Sequence, residues 1–172
     1  MLKLLGAGLI LSVCTLYGLQ MKQRLFQHVQ QLIGCKEVLL MLCGEISYAR
    51  APLREAFLHI AAQGKEPFGS FLKDVAARME QEQQKPLSEI WSSALLGHQD
   101  EICFTREEQK LLQSIGENFG YLDVQMQLGH LNLCIQQLEA AIIRSQEELS
   151  AKQKLYQSLS VLGGLFLILI LL

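Results

Sequence analysis

From Leu25 onward, apolar positions fall at Leu25, Val29, Leu32, Leu39, Cys43 and Ile46, with Lys36 completing the alternation of four and three. That rhythm keeps one face of an α-helix apolar along its length. Toward the other end, Leu128, Leu131, Ile135, Leu138, Ile142, Leu149, Tyr156 and Leu159 repeat it, interrupted by Ser145 and Lys152. Two such seams predict two long antiparallel helices stapled along an a/d-type stripe. At a rise of about 1.5 Å per residue, the first stripe extends about 35–40 Å.

Between the seams the pattern shortens. Pro52 stands before Leu53-Arg54-Glu55-Ala56, Pro67 before Phe68, and Pro86 before Leu87-Ser88-Glu89-Ile90. A proline that opens a helix sacrifices no hydrogen bond, so each predicts a helix start. Thr105-Arg106-Glu107-Glu108 has the capping-box pattern and starts a fourth helix, which is expected to stop near Gly116 or Gly120. About four short helices thus make a head over residues 50–125. Phe57, Phe68, Phe71, Trp91 and Phe104 supply its aromatic core. Pro52-Leu53-x-Glu55 returns 34 residues later as Pro86-Leu87-x-Glu89. Two copies are too few for a solenoid, so the echo is read as a repeated helix start.

Both ends are apolar. Residues 4–21 and 155–172 each give 18 consecutive uncharged positions. A helix of that length is about 27 Å long, just short of a hydrocarbon core of about 30 Å, and each end is read as a membrane helix. Lys3 before the first run resembles a secretory signal, but no A-x-A-like cleavage site follows. Leu11-Ser12-Val13-Cys14 suggests a lipoprotein site only faintly, because Val13 is bulkier than the small residue expected there. Gly6 and Gly8 in the first segment, and Gly163 and Gly164 in the second, are candidates for close helix packing in lipid.

Charge sets the orientation. Lys22, Arg24, Lys36, Arg144, Lys152 and Lys154 flank the apolar ends on the inner side, against Lys3 alone on the outer. Basic residues stay on the cytoplasmic side, so residues 22–154 are expected to form a cytoplasmic domain. The net charge is −2, and the basic residues are scattered, which excludes nucleic acid as a partner. Glu45, Arg50, Glu55, Glu89, Glu117 and Asp123 are the candidate partner contacts. Asp123 also stands where a carboxylate favours the start of a following helix.

Chemistry is sparse. His28, His59, His98 and His130 are dispersed, with no H-E-x-x-H and no paired carboxylates at ligand spacing. Nucleophile elbows and phosphate-cradling loops are missing, and Gly116-Glu117-Asn118-Phe119-Gly120 reads as a helix-ending turn. Cysteines at 14, 35, 43, 103 and 134 form no CxxC pair and read as buried thiols in a reducing compartment. No metal, cofactor or enzymatic activity is expected.

Met1-Leu2-Lys3-Leu4-Leu5-Gly6-Ala7, Glu45-Ile46-Ser47-Tyr48 followed by Pro52-Leu53-x-Glu55-Ala56, Gly116-Glu117-x-x-Gly120-x-x-Asp123-x-Gln125, and Lys154-Leu155-Tyr156-x-x-Leu159-x-x-Leu162-Gly163-Gly164-Leu165 come in an order that resembles the stage III sporulation protein AB family. Ala51 and Phe119 depart from its usual residues. The resemblance implies a component of the channel complex joining mother cell and forespore. It also implies likeness to the cytoplasmic domains of type II secretion and type IV pilus platform proteins. On that reading the chain sits in the mother-cell membrane facing the forespore. Its head faces a secretion-type ATPase of the same operon-encoded complex, and its spans meet other channel subunits and lipid. A self-assembling membrane tether without an ATPase partner is the alternative, and a homo-oligomer fits either.

Overall fold

The computed structural model describes the backbone of residues 2–49, 52–119 and 123–171, and the side chains of residues 20, 23–48, 52–119 and 123–152. It is all-helical, with six α-helices and no strand among the described residues. The first, α1, runs Leu2–Gly44 and passes into a π-helical turn, Glu45–Ala49. Four short helices follow: α2 Leu53–Gln63, α3 Phe68–Gln81, α4 Leu87–Gly97 and α5 Arg106–Asn118. The last, α6, runs Val124–Leu171. No proline interrupts α1 or α6, so nothing in their sequences removes a backbone donor mid-helix.

The expected helix starts are where the residues placed them. Pro52, Pro67 and Pro86 each stand immediately before α2, α3 and α4, and Thr105 caps α5. The Pro52 carbonyl accepts from the amides of Glu55 and Ala56, which gives the first turn of α2 its bonds without a proline donor. At α5 the capping box is complete. The Glu108 amide donates to Thr105 Oγ1, and the Thr105 amide donates to the Glu108 carboxylate at 2.8 Å.

The chain divides into two compact units, Gln30–Ile142 and a second made of Met1–Val29 with Ile143–Leu172. The first holds one core. Leu32, Leu39, Leu131, Ile135 and Leu138 of the two seams are buried in it, with Phe57, Phe68, Phe71 and Trp91 from the short helices. Lys36, the charged member of the α1 seam, is answered by Glu139 of α6 at 3.0 Å. Beside its seam, α1 buries a second arc, Cys35, Val38 and Leu42, and Gly34 lies against Phe68 of α3. A helix that packs only one neighbour needs one stripe. This one packs on two sides, so its apolar residues outnumber the seam positions.

In the second unit Val29 and Ser145 are buried, and Lys152 pairs with Glu148 one turn away on α6. Of the segments expected as membrane helices, residues 4–21 and 155–171 have helical backbones. Apart from Gln20, their side chains lie outside the described residues, and so does the environment of Gly6, Gly8, Gly163 and Gly164. Among the described residues no helix is long and apolar enough to cross a membrane.

Candidate docking surface of the head

Three aromatic rings from three helices meet in the core of the head. Phe57 of α2 lies 5.9 Å from Trp91 of α4 and 6.1 Å from Phe119 at the end of α5, and Trp91 lies 6.0 Å from Phe119. All three are buried. Such tilted and edge-on pairs bring the positive rim of one ring toward the negative face of another, beyond the area they bury. They also fix the ends of their helices relative to each other.

Glu55, Glu89 and Glu117 each stand two positions before one member of this trio. Two residues turn a helix by about 200°, so a side chain two before a buried ring points to solvent. All three are exposed. Glu55 is in the first turn of α2, Glu89 in the first turn of α4, and Glu117 in the last turn of α5. Each carboxylate thus points away from the ring cluster on its own helix, and the three are 34 and 28 residues apart in sequence.

Their charges meet no base among the described residues. Among the described residues Glu55 and Glu89 have no ion pair, and Glu117 accepts only from the Gln113 amide, at 3.0 Å. Several acidic residues answer to a base, Glu37 to Lys65, Asp74 to Arg78, Glu80 to Arg54, Glu82 to Lys85 and Glu139 to Lys36, whereas exposed Asp100 and Glu107 also have no ion pair among the described residues.

The other expected contacts are placed differently. Glu45, at the start of the π-turn, is half-buried and pairs with His59 of α2, so its carboxylate is turned along the head. Asp123 accepts from the Met126 amide at 2.8 Å and caps α6, as its position predicts. Arg50 lies outside the described residues.

The histidines, dispersed in sequence, do not all remain apart from other reactive groups. His130 Nε2 lies 3.1 Å from Asn118 Nδ2, 3.4 Å from Ser114 Oγ and 3.6 Å from Cys134 Sγ. The amide group of Asn118 is a donor, so the Nε2 lone pair accepts from it and is not available to take a proton from the thiol or hydroxyl. Ser114 Oγ itself donates to the Leu111 carbonyl at 2.8 Å. Burial pushes the Cys134 thiol up, so its thiolate is disfavoured. This cluster ties α5 to α6. Its i, i+4 pairs, Ser114 with Asn118 and His130 with Cys134, are neighbours on one helix face each and are visible in the sequence.

Cys35 is pushed up further by complete burial, with Cys134 and Glu108 acting in the same direction, and Cys43 moves up by burial alone. Among the described residues all cysteines are free, Cys103 alone being exposed, and no group of His, Cys, Asp and Glu has metal-binding geometry. A groove of about 290 Å³ is lined by Ser92, Leu95, Leu96, Gln99, Ile102, Gln109 and Gln113, none of them charged.

Comparison with known proteins places this arrangement. The chain is 29% identical over 171 residues to stage III sporulation protein AB of Bacillus subtilis (strain 168), covering 99% of both chains. A solved structure of stage III sporulation protein AB superimposes with a TM-score of 0.65 at 23% identity, covering 70% of this chain and 94% of the other. The model of the family described as stage III sporulation protein AB matches residues 3–172. The chain belongs to the stage III sporulation protein AB family.

Proposed function

We propose that this sporulation protein is a non-catalytic membrane platform of the channel between mother cell and forespore, and that its head docks a secretion-type ATPase. The observation that carries this reading is that Glu55, Glu89 and Glu117, at the ends of α2, α4 and α5, are exposed and have no ion pair among the described residues. Fixed charge selects a basic partner and speeds its encounter. Among the described residues, Glu55, Glu89 and Glu117 have no ion pair to lose on binding.

In this reading α1 and α6 run antiparallel as a stalk. The Lys36 to Glu139 pair, which sets α1 beside α6, supports it. The apolar termini, residues 4–21 and 155–172, enter the mother-cell membrane and meet other channel subunits, with Gly6, Gly8, Gly163 and Gly164 at the contacts. The excess of basic residues next to them keeps the head in the cytoplasm.

The test uses the full chain in lipid nanodiscs with the purified ATPase. Binding is expected to weaken as salt is raised, and to fall at least about tenfold on joint reversal Glu55→Lys, Glu89→Lys and Glu117→Lys, with unchanged circular dichroism. Absence of wild-type binding at both low and moderate salt overturns the reading.

A further inference from the structure

The groove of about 290 Å³ runs between α4 and α5. Trp91, near the start of α4, donates to the Leu112 carbonyl and fills the space beside Gly116 near the end of α5, while Gln99 and Gln109 line the groove at its other end. The two helices are therefore antiparallel. Leu95 and buried Ile102 form the floor, and Leu96, 71% exposed, stands on the rim.

The rims carry charge where the lining does not. Glu89, Ser92, Leu96 and Gln99 follow one edge of α4, and Arg106, Lys110, Gln113 and Glu117 one edge of α5, each spaced by threes and fours so that neighbours stack on one helix face. Because the helices are antiparallel, Glu89 and Glu117 border the same end, and the Glu117 carboxylate rests on the Gln113 amide of the lining at 3.0 Å. Arg106 and Lys110 border the half nearer the loop. All four are exposed and none has an ion pair among the described residues. Asp100 follows Gln99 into the loop, and Glu107 lies about 100° round α5 from Arg106, so the bases belong to the α5 wall alone.

We propose that this groove receives an amphipathic helix of the ATPase, its apolar face on Leu95, Leu96 and Ile102, its basic end at Glu89 and Glu117 and its acidic end at Arg106 and Lys110. The inference rests on the docking function proposed above and gives it a seat. Polarity selects the occupant: a uniformly basic or acidic segment satisfies one end and is repelled by the other, whereas a segment charged in the opposite order satisfies both. Shape excludes a second copy, since a two-fold axis through the groove sets hollow against hollow and buries little. From Glu89 to Gln99 the wall is about 15 Å long, which accommodates about three turns of a helix laid along it.

The experiment measures affinity of the full chain in lipid nanodiscs for the purified ATPase. Leu96→Asp is expected to weaken binding at least about tenfold, the effect of losing a central apolar contact. Met126→Asp, at 60% exposure on α6, is the control and is expected to stay within about twofold of the wild type. Arg106→Glu with Lys110→Glu separates a polar groove from a merely acidic surface. It makes the head more acidic, so a partner that seeks acid alone would bind more tightly, whereas the groove predicts binding about tenfold weaker. Unchanged circular dichroism and denaturation midpoint certify each variant. Leu96→Asp without effect, Met126→Asp equal to it, or tighter or unchanged binding by the double reversal each overturns the groove while the docking function stands. No binding by the wild type refutes the docking function and the groove with it.

Discussion

Trp91 sits in the space that Gly116 leaves on the surface of α5. A Cβ at position 116 would overlap Trp91 Cγ and Cδ1 and stand 2.6 Å from its Cβ. One turn earlier on the same helix, the Leu112 carbonyl accepts from Trp91 Nε1 at 2.9 Å. The largest side chain of the head is thus located by an absent methyl group and one hydrogen bond. Phe57, Phe71 and Phe119 close around it and leave it no room to retreat.

Gly116→Ala is expected to destabilise the head. Alanine favours the helical backbone by about 1 kcal/mol. The overlap with a buried, enclosed indole costs more, about 1–3 kcal/mol after that gain is subtracted. A lowered denaturation midpoint, read from Trp91 fluorescence, checks it, and an unchanged or raised midpoint contradicts it.

Gln31 of α1 spans the loop between α4 and α5, donating to the Glu101 carbonyl at 2.8 Å and accepting from the Cys103 amide at 2.7 Å. Its amide matches both backbone groups at once. Gln31→Leu is nearly isosteric and removes both bonds, at a cost of about 1–2 kcal/mol for this exposed site. Faster hydrogen exchange at the Cys103 amide is the expected local signature, and retained protection there would refute the clamp.

Stability is expected to fall in alkali. The Cys35 thiol is pushed up by burial from its ordinary value of 9.0, so the folded chain keeps a proton that the unfolded chain releases above that pH. The contribution is complete below pH 9 and declines as pH rises, by at most about 1.4 kcal/mol per unit for each such thiol. Cys43 and Cys134 shift in the same direction. Denaturant titrations from pH 8 to 10.5 are expected to slope downward less steeply for Cys35→Ala than for the wild type. Equal slopes would show that this thiol is not protected.

Helix starts and seam positions were legible because their causes are local. A proline, a capping box and a 3-4 alternation act within one or two turns, and the four head helices begin at Pro52, Pro67, Pro86 and Thr105 as those residues require. The Gly116 to Gly120 stretch ends a helix as its glycines suggest, since α5 stops at Asn118. That Gly116 itself lies inside α5 to leave room for Trp91, 25 residues away, is a demand no local pattern shows.

The sequence by itself determined an all-helical chain with two long seams, a head of four short helices, apolar ends and the family to which it belongs, since periodicity, capping and ordered motifs are properties of neighbouring residues. Only the tertiary structure decided that Phe57, Trp91 and Phe119 share one core layer, that Gln31 holds a loop 70 residues away, and that α1 packs on two sides. Those relationships arise from the packing of helices distant in the chain, and spacing along one dimension does not encode which faces meet.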